Sequence, residues 1–182
     1  NFLAKSVEIK CLKTGTTQRL PADYVISTMP VKTLVNSLSP HPPADVCRVA
    51  NGLKYRDFIT IGLLLDKLSV QSSTTSQTML PDTWIYIQER DVSIGRLQIF
   101  NNWSPYMLSD PSKTWLGLEY FCYEGDALWE ASDSDLIKRG TTELAKIGLI
   151  DPADVRDAVV IRVPKTYPAY FGTYNQFHVI RD

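Results

Sequence analysis

The stretch Trp115-Leu116-Gly117-Leu118-Glu119-Tyr120-Phe121-Cys122-Tyr123-Glu124 decides the fold, and the chain runs on from it through Gly125-Asp126 to Trp129. Its residues alternate at strand spacing. Trp115, Gly117, Glu119, Phe121 and Tyr123 fall on one face, and Leu116, Leu118, Tyr120, Cys122 and Glu124 on the other. Both rows are largely apolar, which predicts a strand inside a sheet, covered on both sides. Glu119 is the exception, a carboxylate set among aromatics. Burying it alone is costly, so it needs a cation or a hydrogen-bond donor. Arg56 and Arg162 lie on segments expected in the same sheet and are the candidate partners. Two readings of Glu119 stand at this point: a structural ion pair, or a carboxylate facing a ligand cleft.

On either side of this strand the chain reads as more sheet. Tyr55-Arg56-Asp57-Phe58 leads into Ile59–Asp66, a long β-rich run that is apolar on both faces. Thr83–Glu89 and Arg96–Trp103 predict two further strands, with Ile94-Gly95 at the turn between them. Ser69–Thr78 is rich in Ser, Thr and Gln with no apolar period and reads as a mobile loop. Connections from Arg56 to Tyr123 are short, so the neighbouring strands should run antiparallel. Asn102-Trp103-Ser104 matches a glycosylation sequon, which we treat as chance.

Downstream, Ser132 caps a helix whose stripe is Leu136, Ile137, Gly140, Leu144 and Ile147, with Asp135 at the capping-box position and Gly148 as the stop. Asp151-Pro152 predicts a second short helix through Asp157. Ala158–Lys165 predicts a strand with Val159, Ile161 and Val163 on one face and Val160 and Arg162 on the other. Tyr167-Pro168-Ala169-Tyr170 follows, and Tyr174 to Arg181 begins a helix.

Upstream, residues 6–20 read as a hairpin around Thr14-Gly15-Thr16. Tyr24–Ile26 reads as an apolar core strand that ends in the small residues Ser27-Thr28, and a parallel edge is expected from Val25 onward. Pro30 then opens a helix carrying Val31, Leu34, Val35 and Leu38. A strand that ends in small residues before a helix is a geometry where cofactors meet α/β sheets. Ser39–Pro43 is a rigid linker with His41 solvated, and Ala44–Leu53 is a helix ended by Gly52. The fold class expected is α+β, an antiparallel or mixed sheet with flanking helices. The segments expected are 1–38 and 39–182.

Composition narrows the function classes. The 182 residues carry 44% hydrophobic and 21% charged side chains, the balance of a globular protein with a real core. A formal charge of −1 gives no reason to expect nucleic acid or an anionic membrane surface as a partner. No apolar run is long enough for a membrane span. Three separated cysteines, Cys11, Cys47 and Cys122, argue against a disulfide framework and lead us to expect a reducing, cytoplasmic setting. Two histidines without a Cys-x-x-Cys argue against a zinc site. The chain begins at Asn1 without a methionine and ends at Arg181-Asp182 within a helix, so a piece of a longer polypeptide is expected. There is no Gly-x-Gly-x-x-Gly, no P-loop and no Gly-x-Ser-x-Gly elbow.

The residues that stand out are Arg56, Glu119, Arg162, Tyr167, Tyr170 and the tryptophans. Arginine with aromatics suits a flat, anionic or sugar-like ligand, and equally an ordinary core with its rim. Arg56 is either a surface arginine paired with Asp57 or an anion clamp. Nothing here is a complete catalytic machine, so the chain alone should bind rather than catalyse. Trp84, Trp103, Trp115 and Trp129 raise a further reading, a non-enzymatic binding module, though no regular period puts all four on one open face.

Ala22–Pro30, Lys54–Asp66, Trp115–Trp129 and Val163–Tyr174 together resemble the superfamily of flavin-containing amine oxidases and protoporphyrinogen oxidases, and within it the UDP-galactopyranose mutase-like branch. The resemblance implies that 1–38 returns the chain to an FAD domain and that 39–182 is the substrate-binding domain of a two-domain FAD enzyme, continuing into a truncated C-terminal segment. It implies Arg56, Glu119 and Tyr167 as substrate-binding residues, to which the aromatic set above adds Tyr170, and Thr28, Pro30 and Arg56 as residues near the cofactor. Its implied substrate is a small molecule, an amine or a nucleotide sugar. The family's Gly-rich FAD loop and its C-terminal Gly-Arg segment are both missing, so this chain alone is not expected to hold FAD tightly.

Overall fold

A computed structural model describes residues 3–70 and 79–182. In chain order its elements are β1 (Ser6–Lys10), β2 (Thr17–Pro21), α1 (Val31–Asn36), α2 (Ala44–Gly52), β3 (Tyr55–Leu65), β4 (Trp84–Tyr86), β5 (Arg96–Ile99), β6 (Thr114–Cys122), α3 (Asp133–Lys146), β7 (Val155–Pro168) and α4 (His178–Arg181). The fold is α+β with antiparallel sheets. Most of the expected Ser69–Thr78 loop lies outside the described residues. The chain divides into two units: Asn1–Gly52 with Asn175–Asp182, and Leu53–Tyr174.

In the first unit β1 and β2 form the expected hairpin, with Ser6 facing Pro21 and Lys10 facing Thr17. Gly15 takes a φ of 73° in the turn, where a side chain would be strained. Helices α1 and α2 bury Val35, Val49 and Ala50. The side-chain amides of Asn36 and Asn51 bond across them at 2.9 Å. One expectation fails here. Tyr24–Ile26 is not a strand, and its side chains are exposed, Tyr24 and Ile26 by more than nine-tenths. A strand is stable only when a neighbour takes its backbone hydrogen bonds, and none of the described residues does so for this segment. The parallel edge expected from Val25 is therefore not formed among them.

The second unit is a five-stranded antiparallel sheet in the order β4-β5-β6-β3-β7. The decisive stretch forms β6, the central strand, with Thr60 facing Glu119 on one side and Arg96 facing Glu119 on the other. One face of the sheet is closed by α3. Ile59, Ile61, Leu63, Leu65, Leu97, Ile99, Leu116, Leu118 and Tyr120 are all fully or almost fully buried there, with Leu136 and Leu144 of the helix. Removing these side chains from water supplies the main drive to fold, at roughly 1.5–3 kcal/mol each. Helix α3 starts where its cap predicts: Ser132 Oγ accepts the Asp135 N–H at 3.1 Å and donates to the Asp135 carboxylate at 2.6 Å.

The strands differ from expectation at their ends. After Ile99 the chain turns into a short 3-10 helix, Phe100–Asn102, instead of continuing to Trp103. Phe100 lies over Gly117, where an added Cβ would come within 2.7 Å of its ring. Glycine at this point of β6 is therefore the space the ring fills. Asn102 donates to the carbonyls of Leu80 and Asp82 at 2.8 and 2.7 Å, a structural use for the sequon asparagine. The helix expected from Asp151-Pro152 to Asp157 is cut to Pro152–Asp154, because Val155 already pairs with Leu65 as the start of β7. The two faces of β7 alternate as expected. Val160 and Arg162 face inwards, whereas Val159 and Ile161 are about half exposed.

Candidate functional site

Period-two alternation places one set of side chains on the sheet face away from α3. Reading across the registers, Tyr86, Arg96, Glu119, Thr60 and Ile161 form one row, and Trp84, Gln98, Gly117, Gly62 and Val159 the next. Trp115, Phe121, Phe58, Arg56 and Tyr167 extend the same face. Helix α3 packs on the other face, and on this one Phe100 of the short 3-10 helix lies over Gly117. Trp84, Tyr86, Tyr123 and Tyr167 are each exposed by 43% or more, which is unusual for aromatics on a sheet face.

Glu119 lies at the centre and is 1% exposed. Arg96 Nη2 stands 2.6 Å from its Oε2, and Arg96 Nε donates to the same oxygen at 2.8 Å. Gln98 Nε2 donates to Oε1. Arg96 Nη2 also donates to the Tyr167 hydroxyl at 3.1 Å. Its guanidinium lies over the rings of Trp84 and Tyr86, 5.0 and 5.8 Å from their centroids. Burial alone would lower the Arg96 pKa. Hydrogen bonds to Tyr167 and Glu119, with the Glu119 charge, outweigh it and raise the pKa, so the guanidinium is permanently charged.

The partner of Glu119 is thus Arg96, not Arg56 or Arg162. Register explains this, since Arg96 faces Glu119 directly on the neighbouring strand. Arg162 points to the other face, donating to the carbonyls of Trp129 and Ala131 at 2.9 and 2.6 Å and pairing with Asp133 at 2.7 Å. Sequence reasoning passed over Arg96. The signal was present, because Arg96 and Gln98 share a strand parity opposite a lone carboxylate.

Arg56 lies over the rings of Phe121 and Tyr123, at 5.4 and 5.8 Å from their centroids. Among the described residues no carboxylate forms an ion pair with it. Asp57 turns to the opposite face and accepts backbone N–H groups instead. Arg56 faces Tyr167 across β3 and β7, and Phe58 and Tyr167 stack loosely at 6.3 Å. The structure therefore gathers Arg56, Glu119 and Tyr167 on one face. Tyr170 lies beyond the end of β7, exposed, with its ring 4.9 Å from that of Tyr174. Thr28 and Pro30 belong to the first unit, Thr28 exposed and Pro30 half-buried.

The tryptophans do not form one platform. Trp84 and Trp103 make an edge-to-face pair at 5.4 Å, while Trp129 packs against the core. Outside this face, the solvated His41 brings Nε2 to 3.4 Å from the Cys47 thiol. No group of three metal-ligating side chains occurs among the described residues. No helix among them is long and apolar enough to cross a membrane.

A family model described as flavin containing amine oxidoreductase matches residues 5–180. No curated protein matches the chain. Among solved structures the fold is similar to that of a reduced UDP-galactopyranose mutase, with 21% identity and a TM-score of 0.63 over 87% of this chain and 33% of that one. It is also similar to a protein from Exiguobacterium sp. 255-15 assigned as a protoporphyrinogen oxidase, with 19% identity and a TM-score of 0.57 over 100% of this chain and 37% of that one. At these identities the likeness is one of fold. The chain spans about a third of the length of either structure.

Proposed function

The chain belongs to the flavin-containing amine oxidoreductase family, and from that premise we propose that its five-stranded sheet is the substrate-binding part of a flavin-dependent oxidoreductase. One observation carries this reading: the face left open by α3 gathers Arg56, Arg96, Glu119 and Tyr167 among exposed aromatic rings. Exposed aromatics with a few fixed polar groups are the usual make-up of a small-molecule site. Arg96, neutralised by Glu119 and held by Tyr167, is a rigid hydrogen-bonding wall. Arg56, with aromatic contacts and no carboxylate partner among the described residues, is the group that takes a negative charge. Tyr170, exposed past the strand end, is a further aromatic for the substrate to meet.

The family implies a flavin. The residues expected near it offer little: in the first unit Thr28 has an exposed hydroxyl and Pro30 a turn, and in the second Arg56 has a guanidinium. A dinucleotide's diphosphate calls for a glycine-rich turn at a helix N-terminus, and this sequence contains none. What these residues contribute is binding and orientation of the substrate and exclusion of water by the aromatic rings.

A second reading is favoured by the unneutralised charge of Arg56: the substrate is a nucleotide sugar, as for a UDP-galactopyranose mutase, and Arg56 steadies its diphosphate. The discriminating experiment assays the full-length protein that carries this chain. Turnover of UDP-galactopyranose under reducing conditions, lost in Arg56→Ala, supports the mutase reading. Peroxide formation driven by an amine, without sugar turnover, supports the oxidase reading. Failure of the flavin-loaded protein to bind either substrate sinks both.

A further inference from the structure

Strands β3 and β7 keep one register from Leu64, which faces Asp157, to Phe58, which faces Val163. Two residues further along β3, Arg56 faces Tyr167, four residues further along β7. Two extra residues have therefore been taken up between Val163 and Tyr167 as a bulge. Within it Lys165 has a φ of 56°, in the left-handed region that a lysine enters at a cost of roughly 1–2 kcal/mol. Something must hold it there. Thr166 Oγ1 donates to the Val163 carbonyl at 2.9 Å, and the Asp57 carboxylate does more. Asp57 is 7% exposed. Its Oδ1 accepts the Lys165 N–H at 2.5 Å, and its Oδ2 accepts the Glu124 N–H at 2.8 Å. One buried carboxylate thus ties the bulge of β7 to the end of β6 across the strand that carries Arg56.

The bulge decides which side chain meets Arg56. In an unbroken register Lys165 would stand opposite it, two like charges face to face. With the bulge, Tyr167 stands there and its hydroxyl reaches Arg96. We propose that Asp57 is the positioning residue of the open face, fixing the bulge that sets Tyr167 between Arg56 and Arg96. Its importance for function rests on the substrate-facing reading above; the geometry it enforces does not.

The test is made on the isotopically labelled chain. In Asp57→Asn the Lys165 amide should exchange at least about tenfold faster, the loss of one charge-assisted hydrogen bond. Nuclear Overhauser contacts between Tyr167 and Phe58 should vanish, while those between Ile59 and Tyr120 on β6 persist. Adding Lys165→Gly should restore the Tyr167–Phe58 contacts, because glycine takes a positive φ freely, and adding Lys165→Ala should not. If Asp57→Asn does not fold, rescue by Lys165→Gly alone supports the proposal just as well. Unchanged Tyr167–Phe58 contacts in Asp57→Asn, or no difference between the glycine and alanine rescues, overturns it. Pyrophosphate titration of the same variants separates the two levels: absence of binding to the parent chain refutes the anion-binding reading and leaves the bulge measurement to decide on Asp57.

Discussion

Arg96 and Glu119 face each other on adjacent strands and meet at 2.6 Å, with side-chain exposures of only 12% and 2%. A pair this buried is costly to form and costlier to break. Truncating Arg96 to Ala leaves the Glu119 carboxylate with Gln98 alone, and we expect a loss of about 3–5 kcal/mol by chemical denaturation. Replacing both residues together, as Arg96→Met with Glu119→Leu, should cost clearly less than the sum of the single changes, because neither charge is then stranded. Additive costs in that cycle would show that the pair does not act as a unit.

Asp66 gathers two cations at the end of β3. Arg156 donates to its carboxylate through Nε at 2.7 Å, and Lys113 Nζ stands at 2.7 Å. The Arg156 hydrogen bond, followed by that of Lys113, holds its pKa well below the ordinary carboxylate range. A depressed acid stabilises the fold above its unfolded pKa and loses that contribution as pH falls towards the folded value. Stability should therefore decline below about pH 4, the usual aspartate range, with a slope that Asp66→Asn flattens. The effect should shrink in high salt because the group is solvated. Denaturation midpoints between neutral and acid pH, with and without salt, test this.

Tyr120 offers the opposite case. Burial first, then the charge and hydrogen bond of Glu143 at 3.0 Å, push its phenol pKa up. Above about pH 10 the unfolded chain ionises this tyrosine and the folded chain does not, so stability should fall as pH rises. Tyr120→Phe should remove that part of the alkaline loss at a cost of about 1 kcal/mol at neutral pH. Glu143 keeps the N–H groups of Ser93 and Ile94 in the variant. An alkaline slope identical in both proteins would contradict this.

Gly140 sets helix propensity against packing. Alanine in mid-helix is better by roughly 1 kcal/mol. Here a Cβ would lie 2.9 Å from Leu118 Cδ2 and 3.3 Å from Ile61 Cδ1, both in the buried core. Overpacking costs typically about 1–3 kcal/mol, so the close approach of α3 to the sheet should win and Gly140→Ala should destabilise. The sign of the change in the denaturation midpoint decides the matter.

How much could be read in advance follows from these particular residues. The central strand, the α3 cap and stripe, and the antiparallel order were legible, because alternation and capping are local signals. Arg56, Glu119 and Tyr167 sit on one face because strand parity fixes faces once register is known. The register itself was not legible. Arg96 meets Glu119 through the β5–β6 register and Tyr167 meets Arg56 through the bulge in β7, and neither pairing is written in a local pattern of the sequence. Tyr24–Ile26 failed for a different reason. Its apolar residues carry strand propensity, but propensity without a hydrogen-bonding neighbour does not make a strand.

The charge on Arg56 leads to the last prediction. Arg56 is held over two aromatic rings and faces no carboxylate among the described residues, whereas the charge on Arg96 is already matched by Glu119. If the open face receives an anionic substrate, the two arginines must differ in a measurable way. Arg56→Ala should weaken pyrophosphate binding by about tenfold or more, a charge-assisted hydrogen bond's worth, while changing stability by less than about 1 kcal/mol. Arg56→Lys should recover only part of the affinity, since an ammonium cannot bind two oxygens in parallel. Affinity should fall as salt is raised, and the salt dependence should be shallower in Arg56→Ala. Titration calorimetry at two ionic strengths measures all of these. A salt dependence equal in the parent and Arg56→Ala would place the anion away from this arginine, and with it the substrate.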